Sequence, residues 1–99
     1  MSSDALDCQV LDCLNSDYEN INFLYEEISE EVSKDGESIA RQDLIDSLRR
    51  LLDHGYIEVY LYYREKHAYM NASFSQDKLE EFWFRATVRG RKQASTLMS

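Results

Sequence analysis

Four carboxylates, Glu26, Glu27, Glu30 and Glu31, form the densest set of potential ligands in the chain. Their i, i+4 spacing gathers them on one helix face, where they could hold a hard cation, but a solvated face needs the same pattern with no ion at all. His54 and His67 could be ligands or general bases, yet neither has a Cys or a second His at ligand spacing. Cys8 and Cys13 are five residues apart, about 140° around a helix. That placement suits neither a bridge nor a shared metal and predicts two reduced thiols. Three glycines occur in all, and none belongs to a phosphate-cradling loop. No catalytic, cofactor-binding or metal-binding residue is assigned, and a non-enzymatic chain is expected.

The cations tell a different story from the acids. Residues 1–37 carry eleven carboxylates against Lys34 alone, a net of −10, while residues 38–99 carry ten Lys and Arg against eight acids, a net of +2. An acidic front half repels nucleic acid. Arg64, Lys66 and His67, with the later Arg85, Arg89, Arg91 and Lys92, form either a phosphate-contacting set or an ordinary charged surface. Tyr60, Tyr62, Tyr69, Met70 and Phe74 likewise stand open between an extended core and a protein interface.

The elements that must position these residues follow from periodicity. Ninety-nine residues with 43% hydrophobic and 12% aromatic content suit one domain, 1–99, with one core. No apolar run is long enough for a membrane span and the first residues lack a signal-peptide pattern, so no membrane partner and a cytoplasmic location are expected. A first helix is predicted over about Asp4–Asn15, with Leu6, Val10, Cys13 and Leu14 along one side and Leu11 at its edge. Ser16 and Glu19 match a capping box, which starts a second helix near Asp17 with Ile21, Leu24, Tyr25, Ile28 and Val32 inward.

In the third helix Leu44, Ile45, Leu48, Leu51 and Leu52 share one face. Its start is set by Ala40 as N-cap, by Ser38 two residues earlier, or by Asp43 as acceptor for the free N–H groups. Gly55 stops it, and from Tyr56 the period becomes two, with Ile57, Val59, Leu61 and Tyr63 on one side and Glu58, Tyr60 and Tyr62 on the other. Arg64–His67 lacks glycine and predicts a mobile loop and a long hairpin connection rather than a tight two-residue turn. Ser75–Glu81 reads as one or two helical turns, and Phe82–Ala86 as the returning strand. Thr87 caps a last helix that Gly90 weakens and that frays over residues 93–99.

Leu44-x3-Leu48-x2-Leu51-x3-Gly55-Tyr56-Ile57, followed by a hairpin and by Thr87-x2-Gly90-Arg91, resembles the winged-helix (winged helix-turn-helix) domains of bacterial transcription regulators. The resemblance implies an α+β fold: a three-helix core, a two-stranded β-hairpin wing with a short helical insert in the hairpin connection, and a closing C-terminal helix. It also implies that the outward face of the third helix could enter a DNA groove. That face carries Gln42, Asp43, Asp46, Arg49, Arg50 and Asp53, and three carboxylates there oppose phosphates. Arg41, Gln42, Arg49, Arg50, Arg64 and Lys66 are the candidate DNA contacts. The expectation is a regulatory module that meets protein, including its own copy as a homodimer, in preference to DNA.

Overall fold

Apolar periodicity builds the helices, and alternation builds the sheet between them. In the computed structural model, which describes residues 2–15 and 17–98, the order is α1 (Ser3–Cys13), β1 (Glu19–Asn20), α2 (Ile21–Ser33), α3 (Arg41–Asp53), β2 (Ile57–Tyr63), β3 (Ala68–Asn71), 3-10 turns over Gln76–Glu81, β4 (Trp83–Ala86) and α4 (Val88–Met98). The four strands form one antiparallel sheet in the order β1-β4-β2-β3. The fold class is α+β. Among the described residues no helix is long and apolar enough to cross a membrane.

The α3 stripe lies in the core as its spacing predicts: Leu44, Ile45, Leu48 and Leu51 are buried and Leu52 is partly so. Ala40 occupies the N-cap position without a side-chain acceptor, and Asp43 Oδ2 reaches back to accept from the Ala40 N–H at 3.1 Å. At the other end Gly55 takes φ +72°, with Gly55 N–H donating to Leu52 O at 3.0 Å and Tyr56 N–H to Leu51 O at 2.9 Å. This pair of bonds satisfies the last helical carbonyls and turns the chain directly into β2. Burial then alternates along the first residues of β2, with Ile57 and Val59 inside and Glu58 outside.

Thr87, directly after β4, braces the turn. Its N–H donates to Tyr56 O at 2.9 Å, its hydroxyl donates to Gly55 O at 2.8 Å, and the same oxygen accepts from Gly90 N–H at 3.0 Å to cap α4. Gly90 is the point of closest approach. A Cβ added there would lie 1.8 Å from Tyr56 O, so the glycine that lowers helix propensity is what lets α4 seat on the α3–β2 corner.

Several expectations are corrected. The second helix starts at Ile21, not near Asp17, because Glu19 and Asn20 pair with Phe84 and Trp83 as β1, and Asn20 Oδ1 caps the helix by accepting from Phe23 N–H at 2.9 Å. Ser16, half of the expected capping box, lies outside the described residues. In place of a two-stranded wing there are four strands, since Ala68–Asn71 pairs along β2 as well. The Arg64–His67 connection is accordingly a four-residue turn, neither the long connection expected nor a two-residue turn, closed without glycine by His67 at φ +47°, a region that histidine tolerates better than most residues. On α1 the buried side is shifted, with Leu11 inside and Cys13 half-buried. The last helix continues through Met98, and Ser99 lies outside the described residues.

Candidate functional site

The helices pack on one face of the sheet, so the pleat leaves the other face to the alternate residues. Register places Trp83 beside Tyr60, Arg85 beside Glu58, and Tyr69 beside Tyr62 on that outer face. Tyr18, just before β1, reaches across it. Its ring stacks on Tyr69 with centroids 3.8 Å apart and meets the edge of Tyr60 at 5.0 Å. Tyr69 also contacts Tyr62 at 5.0 Å and Trp83 at 5.8 Å. Five rings thus form one continuous layer.

Polar groups rim this layer. The Arg85 guanidinium sits 5.0 Å from the centre of the Tyr18 ring, in cation–π geometry. Glu58 accepts from the Tyr60 hydroxyl and from Asn71 Nδ2, the latter at 3.3 Å. Burial, followed by the hydrogen bond to Glu58, pushes the Tyr60 hydroxyl up to about 12, and burial also raises Tyr69. Both phenols stay neutral donors at physiological pH. Flat rings with polar edges suit contact with another macromolecular surface.

Of the five residues singled out as a protein interface, the structure brings together Tyr60, Tyr62 and Tyr69. Met70 pairs with Leu61 on the opposite face, and Phe74 is drawn into the core, with its ring 6.0 Å from Phe82 and 6.3 Å from Phe84. The layer also contains two residues that sequence reasoning missed. Trp83 could have been found from strand alternation once Tyr60 was known to be its neighbour. Tyr18 carried no such signal, because its position depends on contacts with residues more than forty positions away. No family model, curated protein or solved structure matches this chain.

The candidate DNA contacts are distributed differently. Arg50 clamps Asp7 of α1 with two bonds, Nε to Oδ2 at 3.1 Å and a terminal nitrogen to Oδ1 at 2.8 Å, and buried Ser47 donates to the same carboxylate. Hydrogen bonding to Asp7 is the first cause of the rise in the Arg50 pKa. Arg41 bonds Asn22 at 2.9 Å and Glu80 at 3.3 Å, Gln42 bonds Asp46 at 2.9 Å, and Arg49 lies over the Phe74 ring at 5.7 Å. Arg64 and Lys66 are exposed in the β2–β3 turn. Arg89 covers Tyr56 at the opposite end of β2, so the two groups of cations are about 25 Å apart along the strand.

Glu26, Glu27, Glu30 and Glu31 are exposed along α2. Among the described residues no group of three or more His, Cys, Asp or Glu side chains is arranged to hold a metal ion. Cys8 and Cys13 are both free thiols, and burial, with Glu27, Asp12 and Glu19 nearby, pushes Cys13 up to about 12. His54 stacks on Tyr56 at 5.4 Å at the end of α3, and His67 closes the β2–β3 turn.

Proposed function

We propose that the chain is a non-enzymatic winged-helix regulatory module that meets protein, including its own copy, rather than DNA. Support for the architecture comes from the element order: three helices, the third passing through Gly55 into β2, then an antiparallel return and a closing helix. The observation that carries the function is the aromatic layer of Tyr18, Tyr60, Tyr62, Tyr69 and Trp83 on the sheet face opposite the one that Ile57, Val59 and Phe84 turn to the core. Engagement of Arg41 and Arg50 by carboxylates, and the exposed Asp43, Asp46 and Asp53, argue in the same direction. A groove-reading helix needs its cations pointed at phosphate and base edges.

DNA reading is the second possibility, favoured by Arg64 and Lys66 at the tip of the β2–β3 turn. Titration of a mixed-sequence duplex, followed by fluorescence anisotropy over a range of salt, separates the two. The expected result is weak binding even at low salt, strengthened by Asp43→Asn with Asp46→Asn. Arg64→Ala with Lys66→Ala reduces what remains and flattens the salt slope by up to about two units, one for each phosphate left without its cation. Tight binding to one duplex sequence at physiological salt, abolished by Arg49→Ala, would establish the DNA reader instead.

A further inference from the structure

β3 is an edge strand, and hydrogen-bond phase shows which of its groups are open. Ala72 N–H donates to Val59 O at 3.0 Å, and alternation from that pair turns the backbone groups of Met70 and Ala68 toward β2. The N–H and C=O groups of Tyr69 and Asn71 therefore point away from the sheet. No described residue pairs with them across that edge. Charge, proline or a bulge commonly guards such an edge, and Ala68–Asn71 has none of the three, its register with β2 being unbroken from Tyr63↔Ala68 to Tyr60↔Asn71.

The two sides of this edge differ in chemistry. On the outer face Tyr69 meets Tyr62, whose surface is 41% accessible, and carboxylates stand close by. Glu58 Oε2 is held by two neutral donors, the Tyr60 hydroxyl and, at 3.3 Å, Asn71 Nδ2. The rise of the Tyr69 phenol, caused first by burial, owes a further part to the charge of Asp17 and a smaller one to Glu19. Arg85, the cation of this face, lies against the Tyr18 ring on β4, and Arg64 and Lys66 sit in the turn before Ala68, away from the Asn71 end. On the inner side Met70, 42% accessible, lies beside Leu61.

On the basis of the protein-interaction function inferred above, we propose that this edge takes an extended basic segment of another protein as a fifth, antiparallel strand. Lysine or arginine stands opposite Tyr69 and Asn71, and an apolar residue stands opposite Met70. Charge selects the occupant: a chain at −8, with Asp17 and Glu19 in its −10 front, draws a cationic segment and repels both a polyanion and a second copy of itself. The rings act in the same direction, since an ammonium or guanidinium gains from an open aromatic face, as Arg85 does from Tyr18. Backbone pairing fixes the register. Tyr69 and Asn71 each exchange N–H and C=O bonds with the residue opposite, and the period of two sends the basic side chains to the rings and Glu58 and the apolar one to Met70.

Calorimetric titration of the full chain with a short, end-blocked peptide of alternating lysine and valine, with amide hydrogen exchange followed by NMR, tests this. The expected result is binding that weakens as salt is raised, with protection gained by the Tyr69 and Asn71 amides. The Met70 amide, already bonded to β2, is protected throughout. The same peptide with glutamate for lysine should not bind. Glu58→Gln removes one carboxylate and should weaken the lysine peptide about threefold. Asn71→Pro removes an outward N–H without touching the β2–β3 ladder and should weaken it about tenfold, whereas Asn71→Ala keeps that N–H and should lose no more than Glu58→Gln does. Methylating the backbone nitrogens of the peptide's lysines breaks the same bonds on the unaltered protein and should abolish binding.

A lysine peptide that does not bind at low salt would overturn the proposal. So would binding that survives backbone methylation or leaves the Tyr69 and Asn71 amides unprotected, which would reduce the contact to charge attraction alone. Protection of those amides that rises with protein concentration and no peptide would make a second copy the occupant and overturn it as well. The choice between protein and DNA is read separately by the duplex titration.

Discussion

β2 has two faces that do different work. Toward the helices it offers Ile57 and Val59, which join Leu24, Ile28, Leu44, Leu48 and Phe84 in a core with almost no solvent contact. Toward solvent it offers Tyr60 and Tyr62, which meet other rings at their edges and keep their hydroxyls in reach of water or of Glu58. The inner face is aliphatic and close-packed, so its worth lies in area removed from water. The outer face is aromatic and only partly buried, so some of its surface remains to be covered by something else. A change inward should therefore be read as lost stability, and a change outward mainly as lost association.

The largest effect should come from the inner side. Leu48→Asp buries a carboxylate with no partner at a fully enclosed position, at a cost of about 4 kcal/mol or more, and the cooperative thermal transition should vanish. An unchanged melting curve would mean that the α3 stripe is not in the core. Next in size is Gly90→Ala. Its methyl would meet the Tyr56 carbonyl, and because that atom belongs to the backbone, α4 must move to make room. A loss of about 3 kcal/mol in denaturant titration is expected, the reverse of the gain that helix propensity alone would give.

Asp7→Ala tests the polar joint between α1 and α3. It leaves the Ser47 hydroxyl enclosed and the Arg50 guanidinium without its two acceptors, and should cost about 2 kcal/mol by chemical denaturation. Asp7→Asn should recover part of that loss. A neutral Asp7→Ala would show that the two helices are held by their apolar contact alone.

The smallest effect belongs to the outer face and depends on pH. The Tyr60 hydroxyl ionises near 10 in an unfolded chain and at about 12 in the folded one, so between those values the folded state holds the extra proton. Stability from this group is full below about pH 10 and is lost as pH rises through about 12. Tyrosinate absorbance during alkaline titration should show Tyr60 among the last phenols to ionise. Tyr60→Phe should remove that late step while costing no more than about 1 kcal/mol at neutral pH. If Tyr60→Phe instead unfolds the protein, the outer face is structural and the contrast between the two sides of β2 fails.

The helices and β2 were legible because each is specified by its own residues. Leucines of α3 at one-face spacing, Gly55 where a left-handed residue is needed, and Thr87 as a cap act within one or two turns of themselves. The acid-rich front and the cations at the β2–β3 turn are equally plain as composition. What could not be read was where distant segments meet. Glu19 and Asn20 are too few to show a strand period and become β1 by pairing with β4, and Ala68–Asn71 becomes a strand because His67 adopts a conformation that glycine usually supplies.

The same division runs through the candidate site. Sequence by itself determined that Tyr60 and Tyr62 share a strand face and that Met70 and Phe74 lie near them in the chain. Tertiary structure alone decided that Tyr18 crosses to stack on Tyr69, that Phe74 turns inward to Phe82 and Phe84, and that Arg50 is committed to Asp7. The physical reason is range. Backbone dihedrals and side-chain period repeat within a few residues and leave their mark in the order of residue types, whereas ring stacking, ion pairing and sheet edges are set by where loops return the chain.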